Sequence, residues 1–305
     1  MEPRRVMAQQ IREAMISAIG EIYCRPHSET LELLKIARDQ EQDEIARDML
    51  DSILANAEIG AREGIPVCQD TGLVIVFAEI GTSVLIEGVT LRDIIEAAAA
   101  EAWQKYFLRD SIASDPLRRV QKPEPANTGS EGCNTGPETL YGPDTAKSIP
   151  VILHLDQVPG EKLTLHVALK GGGAENCSAL KMFNPTTPLE DIEDFIVATV
   201  VQAGGKACPP VIVGVGIGGD FELCARLAKQ ALIVPHSAEG KKICLLNLEQ
   251  RLLDRINAEG KGVQGFAGST TALEVRILTA PCHIASLPVA VNLDCHAHRC
   301  TTRII

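Results

Sequence analysis

The stretch ACPPVIVGVGIGG, residues 207–219, carries five β-branched residues between a proline pair and a run of glycines. An apolar run this short, bounded by Pro and Gly, predicts a strand buried on both faces. Gly214, Gly216 and Gly219 also match G-x-G-x-x-G, which binds dinucleotides when it joins a strand to a helix. That reading requires an acidic residue at the end of a second strand about 20 residues on. Glu239 stands at that distance, but it follows Pro235, His236 and Ser237 and reads as the first turn of a helix. The glycines then serve close backbone packing or an anion held at a helix N-terminus.

Upstream, Thr187-Pro188-Leu189-Glu190 predicts a helix with Thr187 as N-cap and Glu190 completing a capping box. Leu189, Ile192, Ile196, Val200 and Ala203 form its apolar face, and Gly204-Gly205 stops it. Cys208 therefore sits in a helix-to-strand loop. Downstream the pattern predicts helices over about 220–231 and 238–257, then strands EVRILTA and VAVNLD. Residues 31–58 and 91–108 carry helical spacing, and LVIVFAEIG and TSVLIEGV read as short strands. IPVILHLDQV and KLTLHVALK read as a pair of strands, and residues 110–148 as irregular. The expected fold class is α+β in one domain: helical to about residue 110, then mixed sheets with flanking helices over 111–305.

The 305 residues carry a net charge of −11, no long basic run and 3% aromatics, which excludes nucleic acid as the expected partner. No apolar run is long enough to span a membrane. The N-terminal 20 residues read as an amphipathic helix, not a secretion signal, so a cytoplasmic location is expected. Ten cysteines in such a chain are not expected as disulfides. Cys24, Cys224 and Cys244 lie on apolar helical patterns and read as core.

The other chemistry lies in loops. GIPVCQDTG (64–72) gathers Cys68, Gln69, Asp70 and Thr71 between two glycines. KGGGAEN (170–176) lets a backbone approach a ligand closely but lacks the ending of a phosphate-binding loop. CHAHRC (295–300) has zinc-ligand residue types in a C-x₄-C spacing, but the chain has no second C-x₂₋₄-C pair of the kind structural zinc uses. His283 lies in a loop between two strands, 12 residues before Cys295. Cys68, Cys208 and Cys295 all lie at element ends. Three thiolates on separate loops can hold three irons of a [4Fe–4S] cluster, leaving the fourth open as a Lewis acid.

In one order, GIPVCQDTG, the LRDS-to-DPLRR segment (108–119), KGGGAEN, ACPPVIVGVGIGG, GFAGSTTAL and HIASLPVAVNLDCHAHR resemble the α subunit of two-subunit class I fumarate hydratases and L(+)-tartrate dehydratases. The resemblance covers roughly residues 10–300. It implies Cys68, Cys208 and Cys295 as ligands of a [4Fe–4S] cluster with one iron not held by Cys. It implies Asp70 and His283 as catalytic, and Gln69, Arg109 and Gly172 or Gly173 as substrate-binding. It further implies a β subunit that completes the site, a hetero-oligomer, and a small dicarboxylate substrate. Malate to fumarate is the first expectation and tartrate to oxaloacetate the alternative. Cys177 and the CHAHR ending depart from many relatives. Two other classes make opposed expectations: a nicotinamide oxidoreductase built on GVGIGG, and a non-catalytic scaffold.

Overall fold

The computed structural model describes residues 3–111, 151–235 and 241–305. The irregular stretch over 112–150 with Cys133, the end of the LRDS-to-DPLRR segment, and Glu239 lie outside the described residues. The chain begins β1 (Arg4–Val6), α1 (Ala8–Ile22), α2 (Ser28–Gln40), α3 (Glu44–Glu63), β2 (Leu73–Gly81), β3 (Val84–Ile86) and α4 (Leu91–Lys105). It continues β4 (Val151–Val158), β5 (Leu163–Lys170), a single turn α5 (Gly172–Glu175), β6 (Ala179–Phe183) and α6 (Leu189–Ala203). It ends β7 (Val211–Gly218), α7 (Phe221–Ile233), α8 (Ile243–Glu259), β8 (Ala272–Ala280), β9 (Leu287–Asp294) and β10 (Arg299–Ile304). This is a mixed α+β fold, as expected.

Two four-stranded mixed sheets carry the structure, ordered β10-β5-β2-β4 and β6-β9-β7-β8. β2 is buried on both faces. Val74, Val76 and Ala78 pack with α1 and α4, while Ile75 and Phe77 pack with α2 and α3. That alternation puts β2 at the centre of its sheet, between β4 and β5. β4 and β5 therefore do not pair with each other, contrary to the sequence expectation. β4 has a half-exposed pattern and takes the edge, where one face can stay wet.

β7 decides the second sheet. Val211, Val213 and Val215 face α6 and α8. Gly214 and Gly216 face α7: a Cβ on Gly214 would lie 2.2 Å from the Ala228 carbonyl, and one on Gly216 2.0 Å from the Cys224 carbonyl. The glycines thus let helix backbone rest directly on strand backbone. The N-terminus of α7, where a pyrophosphate would bind, is closed by its own cap. Asp220 Oδ1 accepts from the Glu222 and Leu223 N–H groups at 3.1 and 2.7 Å. The G-x-G-x-x-G match is a packing motif here. Gly216→Ala is expected to cost about 3 kcal/mol or more through overpacking against backbone, read as a lowered urea midpoint.

Other differences are local. α6 begins at Leu189 with Pro188 as its N-cap, and the Thr187 N–H lies in a turn on the Asn184 carbonyl, so the expected capping box does not form. Cys24 and Cys224 are buried, but Cys244 is exposed in the first turn of α8, beside an Ile243 that is 75% exposed. β10 was not expected as a strand, yet it pairs along β5 from Arg299↔Leu169 to Ile304↔Thr164.

Candidate active site

Strand register gathers most of the sequence-marked loops at one place. β2 and β5 are antiparallel with Leu73 opposite Lys170, so GIPVCQDTG enters β2 where KGGG leaves β5. β10 opens opposite Leu169, so the loop before it arrives at the same end. That loop, residues 295–298, crosses from β9 in one sheet to β10 in the other and carries Cys295. β9 ends opposite the start of β7, with Asp294 opposite Ile212, which brings in Cys208.

The first two loops are bonded to each other. Asp70 Oδ1 accepts from Gly72 N–H at 2.9 Å and Oδ2 from Gly172 N–H at 2.6 Å. Gly72 has a φ of +80°, and a Cβ there would meet the Lys170 carbonyl at 2.5 Å, so glycine is required at this junction. Arg109 is held beside it through its backbone. Its carbonyl accepts from the Thr71 hydroxyl at 2.6 Å and from the Trp103 indole N–H at 3.2 Å. The Arg109 side chain is exposed, as is Gln69, whose Oε1 lies 3.7 Å from Cys68 Sγ.

Cys208 takes a left-handed backbone conformation, φ +53°. This conformation is unfavourable for a residue with a Cβ and persists only where neighbours enforce it. His296 does so: its backbone N–H and Nδ1 reach the Cys208 carbonyl at 3.4 and 2.9 Å. The same Nδ1 lies 3.2 Å from Gln264 Nε2. Gln264, from the glycine-rich GVQGFAG segment, braces the next residue by donating N–H and Nε2 to the Pro209 carbonyl. Gln264 was not singled out from sequence, and His296 only as a zinc-ligand residue type within CHAHRC. Loss of water pushes the Cys208 thiol up, and the nearby Cys68 and Cys177 sulfurs push it further. Cys177 therefore joins this group of thiols. Burial, then the adjacent Asp294 carboxylate, pushes Cys295 up to about 12. Among the described residues no three His, Cys, Asp or Glu side chains converge on a single metal ion. Thiols spread over separate loops suit a cluster, in which different irons take different sulfurs.

Behind the loops lies a buried ionic network. Lys170 is fully buried; its ammonium donates to the Leu293 carbonyl and stands 3.4 Å from Glu175 and 3.7 Å from Asp294. Glu175 also pairs with Lys229 and accepts from Asn292 Nδ2 at 2.8 Å. Burial would raise the Glu175 carboxyl, but the two lysines and the amide outweigh it and hold it low. Asp294 bonds His298 Nδ1 at 2.7 Å. Desolvation opposes both charges, yet Lys170 and His298 bring Asp294 down to about 2, while Cys300 and Asp294 raise His298 to about 10. Both ring nitrogens of His298 are engaged within the protein, Nδ1 by Asp294 and Nε2 by Cys300 Sγ at 3.4 Å. The lone Lys of KGGG gave no sequence sign of this role beyond its place between a buried strand and a glycine turn.

The structure does not bring His283 to this place. It lies in the turn between β8 and β9, exposed, its Nδ1 accepting from the Ala285 N–H at 3.1 Å. Cys295 follows the other end of β9. An eight-residue strand separates its ends by roughly 23 Å. β9, which runs between them, pairs with β6 over Leu287–Val291 and with β7 over Val289–Asp294.

Comparison with known proteins agrees with the loop motifs. The family model for fumarate hydratase (Fumerase) matches residues 12–303. The chain is 34% identical over 267 residues to the "Putative L(+)-tartrate dehydratase subunit alpha" of Methanocaldococcus jannaschii, covering 87% of each protein. It is 28% identical to the L(+)-tartrate dehydratase subunit alpha of Escherichia coli O157:H7, over 97% of this chain and 91% of that protein. The fold and site belong to a hydro-lyase. The chain is a member of the fumarate hydratase (Fumerase) family. The nicotinamide oxidoreductase and scaffold expectations are set aside with it. Among the described residues no helix is long and apolar enough to cross a membrane.

Proposed function

We propose that this chain is the iron–sulfur subunit of a hydro-lyase that adds or removes water across a small dicarboxylate, with fumarate and malate as the first pair. The observation that carries the reading is the Asp70–Gly172 bond. It joins a loop bearing a thiol, an amide and a carboxylate to a glycine loop, at the end of the fold where Cys208 and Cys295 also arrive. Cys68, Cys208 and Cys295 would hold a [4Fe–4S] cluster. When bound, the cluster supplies an open iron that polarises the bond to the departing hydroxyl.

The chain's own residues bind and orient. Arg109 projects a planar, permanently charged fork from a pinned backbone, suited to clamp one carboxylate bidentately. The Gly172 N–H is committed to Asp70, which leaves Gly173 as the glycine to offer its N–H to substrate. Asp70, with an N–H on each oxygen, keeps free lone pairs for orienting a substrate hydroxyl or taking a proton. His283, at the far end of β9, is given no step in this chain's own site. A β subunit would supply the remaining proton-transferring groups, making the assembly heteromeric. The tartrate reading is kept as a second because the M. jannaschii and E. coli relatives both carry that name.

The test is anaerobic purification with any copurifying subunit, then iron, acid-labile sulfide and turnover of malate and L(+)-tartrate. About four iron and four sulfide per chain with dehydration of either acid supports the reading. No iron or sulfide after reconstitution would end it. Arg109→Ala should raise KM about 10-fold or more while leaving cluster content unchanged, a loss of one charged carboxylate contact. An unchanged KM would remove Arg109 from the site.

A further inference from the structure

Three described residues other than glycine hold left-handed backbone, and two of them meet at one carbonyl. Cys208 has a φ of +53° and Gln264 a φ of +54°. The carbonyl is that of Pro209, which directly follows the thiol. Gln264 donates to it twice, from its N–H at 2.9 Å and from Nε2 at 2.8 Å. The same Nε2 stands 3.2 Å from His296 Nδ1, which itself lies 2.9 Å from the Cys208 carbonyl. One side-chain amide therefore touches both supports of the Cys208 turn. Backbone strain of this kind persists only where the surroundings over-determine it, and it gathers at sites that bind or react.

The segment that carries Gln264 is anchored apart from the thiols. Glu41, the C-cap of α2, is only 2% exposed. Its Oε2 accepts from the Ser269 N–H at 2.9 Å and from the Ser269 hydroxyl at 3.2 Å. The Val263 N–H closes the loop on the Ala267 carbonyl at 2.7 Å. A Cβ on Gly265 would stand 2.5 Å from the Gly205 nitrogen, so this loop lies directly on the turn that leads into Cys208. The Cys208 N–H in turn donates to the Gly205 carbonyl at 3.1 Å. The bracket thus runs from the end of α2, through residues 262–269, to the backbone on both sides of the thiol.

We propose that Gln264 is a positioning residue for the cluster, resting on the reading given above: its side-chain amide fixes the Cys208 turn, and with it the direction from which the Cys208 sulfur meets iron. Groups that orient a metal ligand tune the centre without touching the metal. Cys68 and Cys295 lie on other loops, so loss of the amide falls on one sulfur of the three.

The full chain is purified anaerobically with any subunit that copurifies, as wild type and Gln264→Gly, and reconstituted with iron and sulfide. Glycine adopts left-handed backbone freely and keeps the N–H bond to Pro209, so the substitution takes away the amide side chain alone. Three quantities are measured without substrate: the urea midpoint of the cluster-free chain, the rate at which cluster absorbance bleaches in air, and the electron paramagnetic resonance spectrum of the dithionite-reduced cluster. The midpoint should stay near wild type, because a lost hydrogen bond and a relieved backbone oppose each other. Bleaching should quicken several-fold and the spectrum should shift, because one thiolate meets its iron at an altered angle. Unchanged bleaching and an unchanged spectrum would overturn the proposal. So would a lowered midpoint with an unaltered spectrum, the result of a bond that only supports the fold. A raised KM with an unaltered spectrum would assign the amide to substrate and overturn it as well. Should Gln264→Gly not fold, Gln264→Asn decides on the same measurements, since asparagine also tolerates left-handed backbone but carries its amide one carbon short. A wild-type chain that takes up no iron or sulfide would overturn the functional reading and this assignment with it.

Discussion

Serine at Cys68, Cys208 or Cys295, one at a time, is expected to bring activity to background and bound iron and sulfide well below wild type. A serine hydroxyl is a far poorer ligand to iron than a thiolate, and three sulfurs leave no spare. The structure sharpens the control. Cys282 is exposed at the His283 end, and Cys300 is buried with its sulfur 3.4 Å from His298 Nε2, so serine at either should leave the cluster content near wild type. Cys177 is the informative competitor, because its sulfur lies close enough to Cys208 to influence it. Iron lost in Cys177→Ser but retained in Cys295→Ser would replace the third ligand.

The second large effect concerns Lys170. Lys170→Met matches the stem in volume but removes the ammonium from between Glu175 and Asp294. The Leu293 carbonyl loses its donor, and two carboxylates are left in low dielectric with one cation fewer. Removing one member of a buried ionic set costs about 3–5 kcal/mol. The measurement is chemical denaturation of the cluster-free chain, in which ligand loss cannot mimic the result. Lys170→Met combined with Glu175→Gln should recover part of the loss, since a carboxylate leaves together with its partner. A single variant within about 1 kcal/mol of wild type would mean that Lys229 and His298 suffice to neutralise both acids.

Much of this was legible in the sequence because loops at element ends announce themselves. CQDTG, KGGG and ACPP each interrupt a periodic segment with residues a turn does not need, and backbone pairing brings all three to one end of the fold. The alternation of Val211, Val213 and Val215 with Gly214 and Gly216 was equally readable, once the glycines are taken as the small face of a strand. What escaped were facts of partnership. Nothing local says that β2, not β5, neighbours β4, because pairing is settled by which strand is apolar on both faces. RCTTRI lacks the apolar density of a strand, yet it pairs because β5 offers an edge. The 12 residues from His283 to Cys295 are near in sequence, but β9 runs between them and sets them at its two ends. Lys170 reads as an ordinary cation, and only its burial between Glu175 and Asp294 shows otherwise.

The crossover from β9 to β10 has a consequence for biosynthesis. The candidate third sulfur, Cys295, sits between two strands that complete different sheets, and β10 must seat along residues 164–169 before its loop is fixed. A chain emerging from the ribosome has two of the three candidate thiols in hand by residue 208 and waits for 87 more residues to gain the third. Throughout that interval those two thiols are open to oxidation or to a stray metal. A cluster held by the three candidate cysteines would thus be completed only after Cys295 has been made and β10 has seated along β5.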